Sequence, residues 1–345
     1  MNICHVNLAK GFRGGERQTL LLIAALAEMG FKQRLICRAG EALEKAARKI
    51  SRLNIIPIRK PFSLRIHKVK PADLIHVHEG RSGHFAMLAK QLTGIPYVIT
   101  RRIPNRPKMN LITRQTYAGS SMVIVLSNAI KQTMASYDAK LRLEVIPSML
   151  ANLSRDQIMI DQLKTKYHNR FVIGHIGALV QHHKGQQFII EAAKQLALSH
   201  PELIFLLIGS GKDEAALKQQ AVDCNNIEFV GQVENIADYL GLFNCFVFPS
   251  LEEGLGSTLL DAMQFEVPII ASEVDGIPDI ILPDETGLLI PPANAEVLAE
   301  KIKYIYQHPE QAKLLTKKAK IFVEQFEASV IAARVAKVYV QALKA

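Results

Sequence analysis

"CFVFPSLEEGLGSTLLDAMQFEVPIIAS", residues 245–272, carries a complete supersecondary unit. An apolar run ends in a glycine-rich bend, apolar positions then recur at helical spacing, and "VPIIAS" supplies a second β-prone run. Strands joined through a helix lie parallel, since the chain must cross over to begin the second one. Strands of such sheets are covered on both faces, which suits unbroken apolar runs.

The same alternation extends in both directions. A second series of strands begins at "RFVIGHIGAL" and runs through "LIFLLIG" and "NIEFVG" to the quoted stretch. A first series comprises "NICHVN", "QRLICR", "NIIPIR", "LIHVH", "PYVIT" and "MVIVLS", with a helix over 16–29, and closes at "EVIPSML". The polar stretch "ANLSRDQ" (151–157) reads as a linker, and residues 295–345 as helical with a break near "HPEQ". The pattern predicts an α/β protein of two doubly wound, Rossmann-like domains, 1–150 and 151–325, facing a central cleft.

Charge divides along the same line. Residues 1–150 hold 25 Lys+Arg against 8 Asp+Glu, a net of +17, whereas the remainder carries 17 against 24, a net of −7. Basic charge is densest from Lys45 to Lys70, with nine Lys/Arg and no acid around "LNIIPI" and "PFSL". Two readings fit, a solvated basic face or a patch for anionic lipid headgroups. Nucleic acid is disfavoured, because aromatics are only 6%, Trp is absent and no finger, helix-turn-helix or stacking motif occurs. No apolar run reaches the roughly 18 residues of a membrane span, and the opening residues lack a secretory signal. A cytoplasmic protein is expected, with Cys4, Cys37, Cys224 and Cys245 as free thiols.

In open parallel sheets ligands bind beyond the carboxyl ends of the strands, so motifs just after strands matter most. "VNLAKGFRGGERQ" runs from a strand into a loop with Gly11, Gly14 and Gly15; such a loop serves turn geometry alone or admits a phosphate to the helix start. "GSG" at 209–211 lacks the third glycine of a dinucleotide fingerprint, because Glu214 stands there, and reads as a tight turn. "IGALVQHHKGQQF" places Lys184 where a helix begins, either as a solvated lysine or as a diphosphate ligand. His182 and His183 have no Cys or acid at metal-ligand spacing. "LIHVHEGRSGHFA" sets His78 at a strand end with Arg81 beyond it, His76 shares its side by period-two alternation, and Arg101 and Arg102 end the next strand. In "EEGLGSTLLDAM", Gly254 and Gly256 form the bend. Glu253 and Asp261 suit paired hydroxyls of a sugar or ribose, yet Thr258 and Asp261 could equally form a capping box, and Glu253 could be a surface acid near a helix dipole.

Together "GGERQ", "HVHEG", "KG", "EEGLGSTLLDAM" and "GIPDIILPDETGLLIPPAN" resemble the family-4 glycosyltransferases (glycosyltransferase group 1 type) over nearly the whole chain. These are retaining enzymes of the GT-B fold that move a sugar from a nucleotide diphosphate. The resemblance implies catalytic roles for His78, Lys184 and Glu253: His78 contacting the donor sugar, Lys184 the diphosphate and Glu253 the sugar hydroxyls. It further implies donor contacts at Gly14, Gly15, Gly254, Leu255, Gly256, Ser257 and Thr258, ribose contact at Asp261 and base contact near Val230 and Val233. Asp261 stands where the family usually has Glu, and Ala178 where a second phosphate cation commonly falls, leaving Arg13, Arg81 or His183 to compensate. "TRR" replaces the more usual "FH" and "IPSML" the common "NGVD". Arg13, Glu16, Arg17, Arg81, Arg101 and Arg102 become the expected contacts of an anionic acceptor or of phosphate.

The implied activity is transfer of a hexose or heptose to a glycan or glycolipid, with lipopolysaccharide core at the inner membrane face as one acceptor. No metal or other cofactor is expected beyond the nucleotide-sugar co-substrate, since no Asp-x-Asp pair occurs. The expected partners are the donor, an anionic acceptor and an anionic membrane surface, with peripheral attachment there. The final helix, 326–345, is expected to cross back to the first domain. A basic nucleic-acid-binding protein and a GT-B-fold epimerase or phosphorylase are the alternatives.

Overall fold

A computed structural model describes residues 1–344 of the 345. The chain forms two compact units: Met1–Met149 with the chain from Phe326 onward, and Leu150–Gln325. Seven strands build the first, β1 (Asn2–Asn7), β2 (Lys32–Arg38), β3 (Asn54–Ile58), β4 (Leu74–Val77), β5 (Tyr97–Arg101), β6 (Met122–Val125) and β7 (Leu143–Val145). Six build the second, β8 (Phe171–Ile176), β9 (Leu203–Ile208), β10 (Ile227–Gly231), β11 (Cys245–Phe248), β12 (Ile269–Ser272) and β13 (Leu288–Ile290). All ladders are parallel, in the orders β3-β2-β1-β4-β5-β6-β7 and β10-β9-β8-β11-β12-β13.

The central strands are apolar because both faces are covered: β4, β6, β11 and β12 are buried at every position. In the first unit the helix Ala328–Leu343 contributes Ile331, Val335, Val338 and Tyr339 to the core around Ile3, Leu26 and Val98. Each large apolar side chain buried in this way stabilises by about 1.5–3 kcal/mol, so this last helix is an integral layer of the unit. The second unit packs Ile189, Leu196 and Leu298 against Phe205, Val247 and Ile270. The four cysteines are free and buried.

Several local expectations shift. The first helix starts at Gly14, not at Glu16. "EVIPSML" extends for only two residues as strand, because β7 is an edge strand that ends at Val145. The C-terminal region breaks at His308, as expected, and again at Val323–Phe326, a 3-10 turn between the helices Pro309–Phe322 and Ala328–Leu343. The strand β13 had no signal of its own, since "LLI" is only three residues long. No helix among the described residues is long and apolar enough to cross a membrane.

Strand order reverses between β1 and β4 in one sheet and between β8 and β11 in the other. Connections leaving neighbouring strands toward opposite faces open a crevice at their carboxyl ends. Each unit therefore has one place where a ligand site is favoured by topology.

Candidate functional site

In the second unit that place is framed by the loops after β8 and β11. Beyond β8 the chain makes one helical turn, Gln181–Lys184, and enters the helix Gln186–Leu196 through Gly185 at φ +65°. A Cβ at position 185 would lie 2.0 Å from the Pro249 carbonyl oxygen, so only glycine allows the two loops to approach. The His183 carbonyl accepts the N–H groups of Leu251 (2.8 Å) and Glu252 (3.3 Å), which ties the loops together. Across this join the Lys184 ammonium is ion-paired with the Glu253 carboxylate and lies 4.9 Å from the centroid of the Phe248 ring.

Glu253 is anchored on both sides of its peptide: its N–H donates to Asp275 Oδ2 (2.9 Å) and its carbonyl accepts from Gly276 N–H (3.3 Å). Lys184 and Glu253 retain 23% and 16% of their side-chain exposure, so a ligand can reach both. An ammonium has three donors; one spent on Glu253 leaves two for other oxygens.

The bend itself buries Gly254, Leu255 and Gly256 and leaves Ser257 and Thr258 half-exposed. Gly256, at φ +85°, is the N-cap of the helix Ser257–Gln264 and provides no side-chain cap. The Thr258–Asp261 capping box is therefore not formed, because the helix begins before Thr258. Asp261 is buried one turn in. The first-turn N–H groups and their partial positive charge point out of the bend, where an anion is favoured.

The neighbouring elements pack around this join. A Cβ at Gly209 or Gly211 would fall 2.0 Å from the Gly177 oxygen or 2.2 Å from the Leu179 oxygen, so "GSG" packs against the β8 loop. Gly231, at φ +83° between Val230 and Val233, accepts Gly209 N–H at 2.8 Å. His183 Nδ1 lies 3.1 Å from Glu252 Oε2 and His182 Nδ1 3.9 Å from Asp213 Oδ2. Ala178 is exposed. His175 is buried with Nδ1 at 3.0 Å from the Val247 carbonyl, and burial pushes its pKa down to about 4.

In the first unit the β1/β4 junction carries buried histidines. Register pairs His5 with His76, and His78 follows the end of β4, so three imidazoles cluster with centroids 4.1–5.7 Å apart. His5 Nδ1 lies 2.9 Å from His78 Nε2, and His5 Nε2 lies 2.9 Å from Gln33 Oε1. His76 is held by Tyr339 OH (2.6 Å) and Thr100 Oγ1 (2.7 Å). Burial pushes His5 down to about 4 and holds His76 and His78 well below the ordinary histidine range, so all three are neutral at pH 7.

The three rings offer nitrogens within 4.8 Å of one another, which satisfies a first requirement for a metal. Five of the six ring nitrogens are already in hydrogen bonds with protein groups, and a cation would have to displace them. The cluster is better described as a hydrogen-bonded network. Of these six ring nitrogens, His78 Nδ1 alone is buried without a partner among the described residues.

The glycine loop and the two arginines separate in role. Glu16 is buried and accepts the Arg13 N–H at 2.9 Å, which closes the start of the helix Gly14–Glu28. Arg102 lies against Gly15, whose Cβ would be 3.5 Å from Arg102 Cδ; burial lowers the guanidinium pKa to about 10 against the pull of Glu16, and it remains charged. The Nε atoms of Arg102 and Arg101 are both buried without a partner among the described residues. Arg101 instead donates to Tyr117 OH (3.1 Å) and to the Asn105 carbonyl, so it braces the following loop. Arg13 and Arg81 are exposed and Arg17 half-exposed. Sequence reasoning missed His5, Gln33, Thr100 and Tyr339, which only strand register and the last helix bring to His76 and His78.

Comparison with known proteins places this geometry. The family model for glycosyltransferase family 4 matches residues 12–149 and that for "Glycosyl transferases group 1" residues 156–322. The capsular polysaccharide biosynthesis glycosyltransferase CapM of Staphylococcus aureus is 29% identical over 155 residues, covering 43% of this chain and 40% of that protein. Like CapM, the other leading curated relatives are matched over less than half of their length. An Escherichia coli UDP-Gal:alpha-D-GlcNAc-diphosphoundecaprenol alpha-1,3-galactosyltransferase is 24% identical, with 84% of each chain covered. The structure of Anabaena Alr3699/HepE in complex with UDP and glucose superposes with a TM-score of 0.88 at 18% identity over 99% of both chains. Two parallel Rossmann-like sheets with these neighbours are the GT-B fold, and the chain belongs to the family-4, group 1 glycosyltransferases.

Proposed function

We propose that this protein is a retaining glycosyltransferase that moves a hexose or heptose from a nucleotide-diphosphate sugar to an anionic glycan or glycolipid, of which lipopolysaccharide core is one example. The observation that carries the reading is the Lys184–Glu253 pair set beside the glycine-capped start of the helix Ser257–Gln264. An acceptor-only carboxylate suits sugar hydroxyls, while the ammonium and helix-start N–H groups suit a diphosphate.

In this reading the two free donors of Lys184 and the N–H groups after Gly256 stabilise charge that grows on the departing diphosphate. Glu253 orients the sugar, Asp261 takes the ribose through its shorter side chain, and Val230 and Val233 flank the base. The acceptor hydroxyl attacks the face from which the diphosphate leaves, and a leaving phosphate oxygen takes its proton. Electrostatic stabilisation of this kind is worth about 2.7–4 kcal/mol per contact. Catalysis then needs no divalent cation, and transfer in excess chelator should be undiminished.

In the first unit Arg102 is the favoured contact for an anionic acceptor, with Arg13, Arg17 and Arg81 as further candidates, while Gly14 and Gly15, the latter packed against Arg102, serve the donor. Residues 80–137 contain eight Lys/Arg and no Asp/Glu, and this region exposes Ile103, Met109, Leu111 and Ile112. Basic and apolar groups together favour attachment to an anionic lipid surface. Flotation with anionic against neutral vesicles tests that part; equal binding would remove it. For the reaction itself, the decisive experiment is a thermal-shift screen of UDP, GDP and ADP sugars. Nucleotide-diphosphate release should then depend on added acceptor, and no response to any nucleotide sugar would overturn the reading.

A further inference from the structure

The geometry points to a tautomer relay in which Gln33 and His5, neither part of the substrate site, hold His78 with its proton on Nε2 and a bare lone pair on Nδ1. The proposal rests on the glycosyltransferase reading only for what Nδ1 would bind.

The relay starts from one backbone carbonyl. Gln33 Nε2 donates to the Ile23 carbonyl at 2.8 Å, and since a carbonyl only accepts, the orientation of the amide is settled. Gln33 Oε1 therefore faces His5 Nε2 at 2.9 Å as an acceptor, and His5 must carry its proton on Nε2. A neutral imidazole has one proton, so His5 Nδ1 is bare. His78 Nε2, 2.9 Å away, has to donate to it. The remaining His78 nitrogen, Nδ1, is then an acceptor with no protein partner, buried at the carboxyl end of β4 where the sheet order turns.

A buried acceptor left unpaired is costly, typically about 1–3 kcal/mol. That cost is removed if a substrate hydroxyl donates to it. The wrong tautomer would present an N–H there and leave a hydroxyl oxygen as the only possible partner, reversing the polarity of the contact. His5 and Gln33 are accordingly positioning residues, and the chemical class recognised by Nδ1 is a hydroxyl donor such as a sugar.

The test reads the tautomer directly. Long-range proton–nitrogen spectra of histidine-labelled full-length protein should show His5 and His78 both protonated on Nε2 alone. A His78 protonated on Nδ1 would overturn the relay whatever the enzyme's activity. In Gln33→Leu, which removes the acceptor with little change in volume, His78 should become a mixture of tautomers. The same variant should lose about tenfold in kcat with KM for the nucleotide sugar unchanged. A wild-type tautomer or a wild-type kcat in that variant would defeat the proposal. Should the variant fail to fold, the wild-type spectrum decides alone. A correct wild-type tautomer in a protein that transfers no sugar would defeat the glycosyltransferase reading and leave the relay standing.

Discussion

The two units are built on the same plan, yet their sites solve opposite electrostatic problems. Unit Leu150–Gln325 puts a charged pair, Lys184 and Glu253, where solvent still reaches it, and surrounds the pair with backbone donors of a helix start. The first unit buries three neutral histidines at the corresponding strand junction and lays Arg102 against Gly15 beside them. Charge near water costs little and can be exchanged for a charged ligand, whereas a buried imidazole stays neutral and acts by the direction of its hydrogen bonds. One unit thus presents a charged pair that solvent still reaches, and the other a hydrogen-bonded cluster whose polarity is set by its tautomers.

The sharpest way to break this contrast is to remove the charged pair. Lys184→Ala and Glu253→Ala should each lower turnover at least a hundredfold, the loss typical of one preorganised electrostatic contact, with circular dichroism and Tm near wild type. Wild-type turnover in either variant would leave the second unit without its assigned role.

Next in size is the join that holds the pair. Gly185→Ala combines a φ of +65° with a Cβ 2.0 Å from a carbonyl oxygen, and backbone must move to admit it. A destabilisation of about 2 kcal/mol or more is expected in urea unfolding. A neutral outcome would mean that the two loops do not depend on this approach.

Acid should separate the units by number of buried histidines. A histidine whose folded pKa lies below its unfolded value binds its proton preferentially in the unfolded chain. Stability is therefore full above about pH 6.5 and is lost as pH falls toward the folded pKa. For His5 and His175, both pushed down to about 4, the window is roughly pH 6.5 to 4, with a slope of up to about 1.4 kcal/mol per pH unit for each. His76 and His78 shift in the same direction. Hydrogen exchange corrected for intrinsic rates should show β1 and β4 losing protection more steeply than β8 over that window. Equal loss would contradict the neutral-histidine description of the first unit.

The smallest expected effect distinguishes the adjacent arginines. Arg102→Ala should raise KM for an anionic acceptor several-fold at unchanged Tm. Arg101→Ala, which loses the guanidinium's charge-assisted hydrogen bonds to Tyr117 OH and the Asn105 carbonyl, should lower Tm and leave that KM alone. The reverse pattern would exchange their roles.

Which parts of this were legible beforehand follows from the range of the interactions involved. The strand–helix alternation, the parallel sheets and the division near residue 150 could be read from periodicity and composition, because burial on both faces of a parallel strand imposes apolar runs on the sequence itself. The loop carrying Lys184 and the bend from Glu253 to Gly256 were equally visible, since each is continuous in the chain and its glycines answer to local backbone requirements. The Thr258–Asp261 capping box, one of the two readings open for Asp261, does not form because the N-cap falls two residues earlier, at Gly256, which has no side chain to announce it. The hydrogen-bond partners of His76 and His78 could not be read at all. His5 meets them only because β1 pairs with β4 across some seventy residues, Thr100 comes from β5, Gln33 from β2, and Tyr339 from the last helix. Local chemistry is written in neighbouring residues, but strand register is settled by the packing of the whole sheet, and no short stretch of sequence carries it.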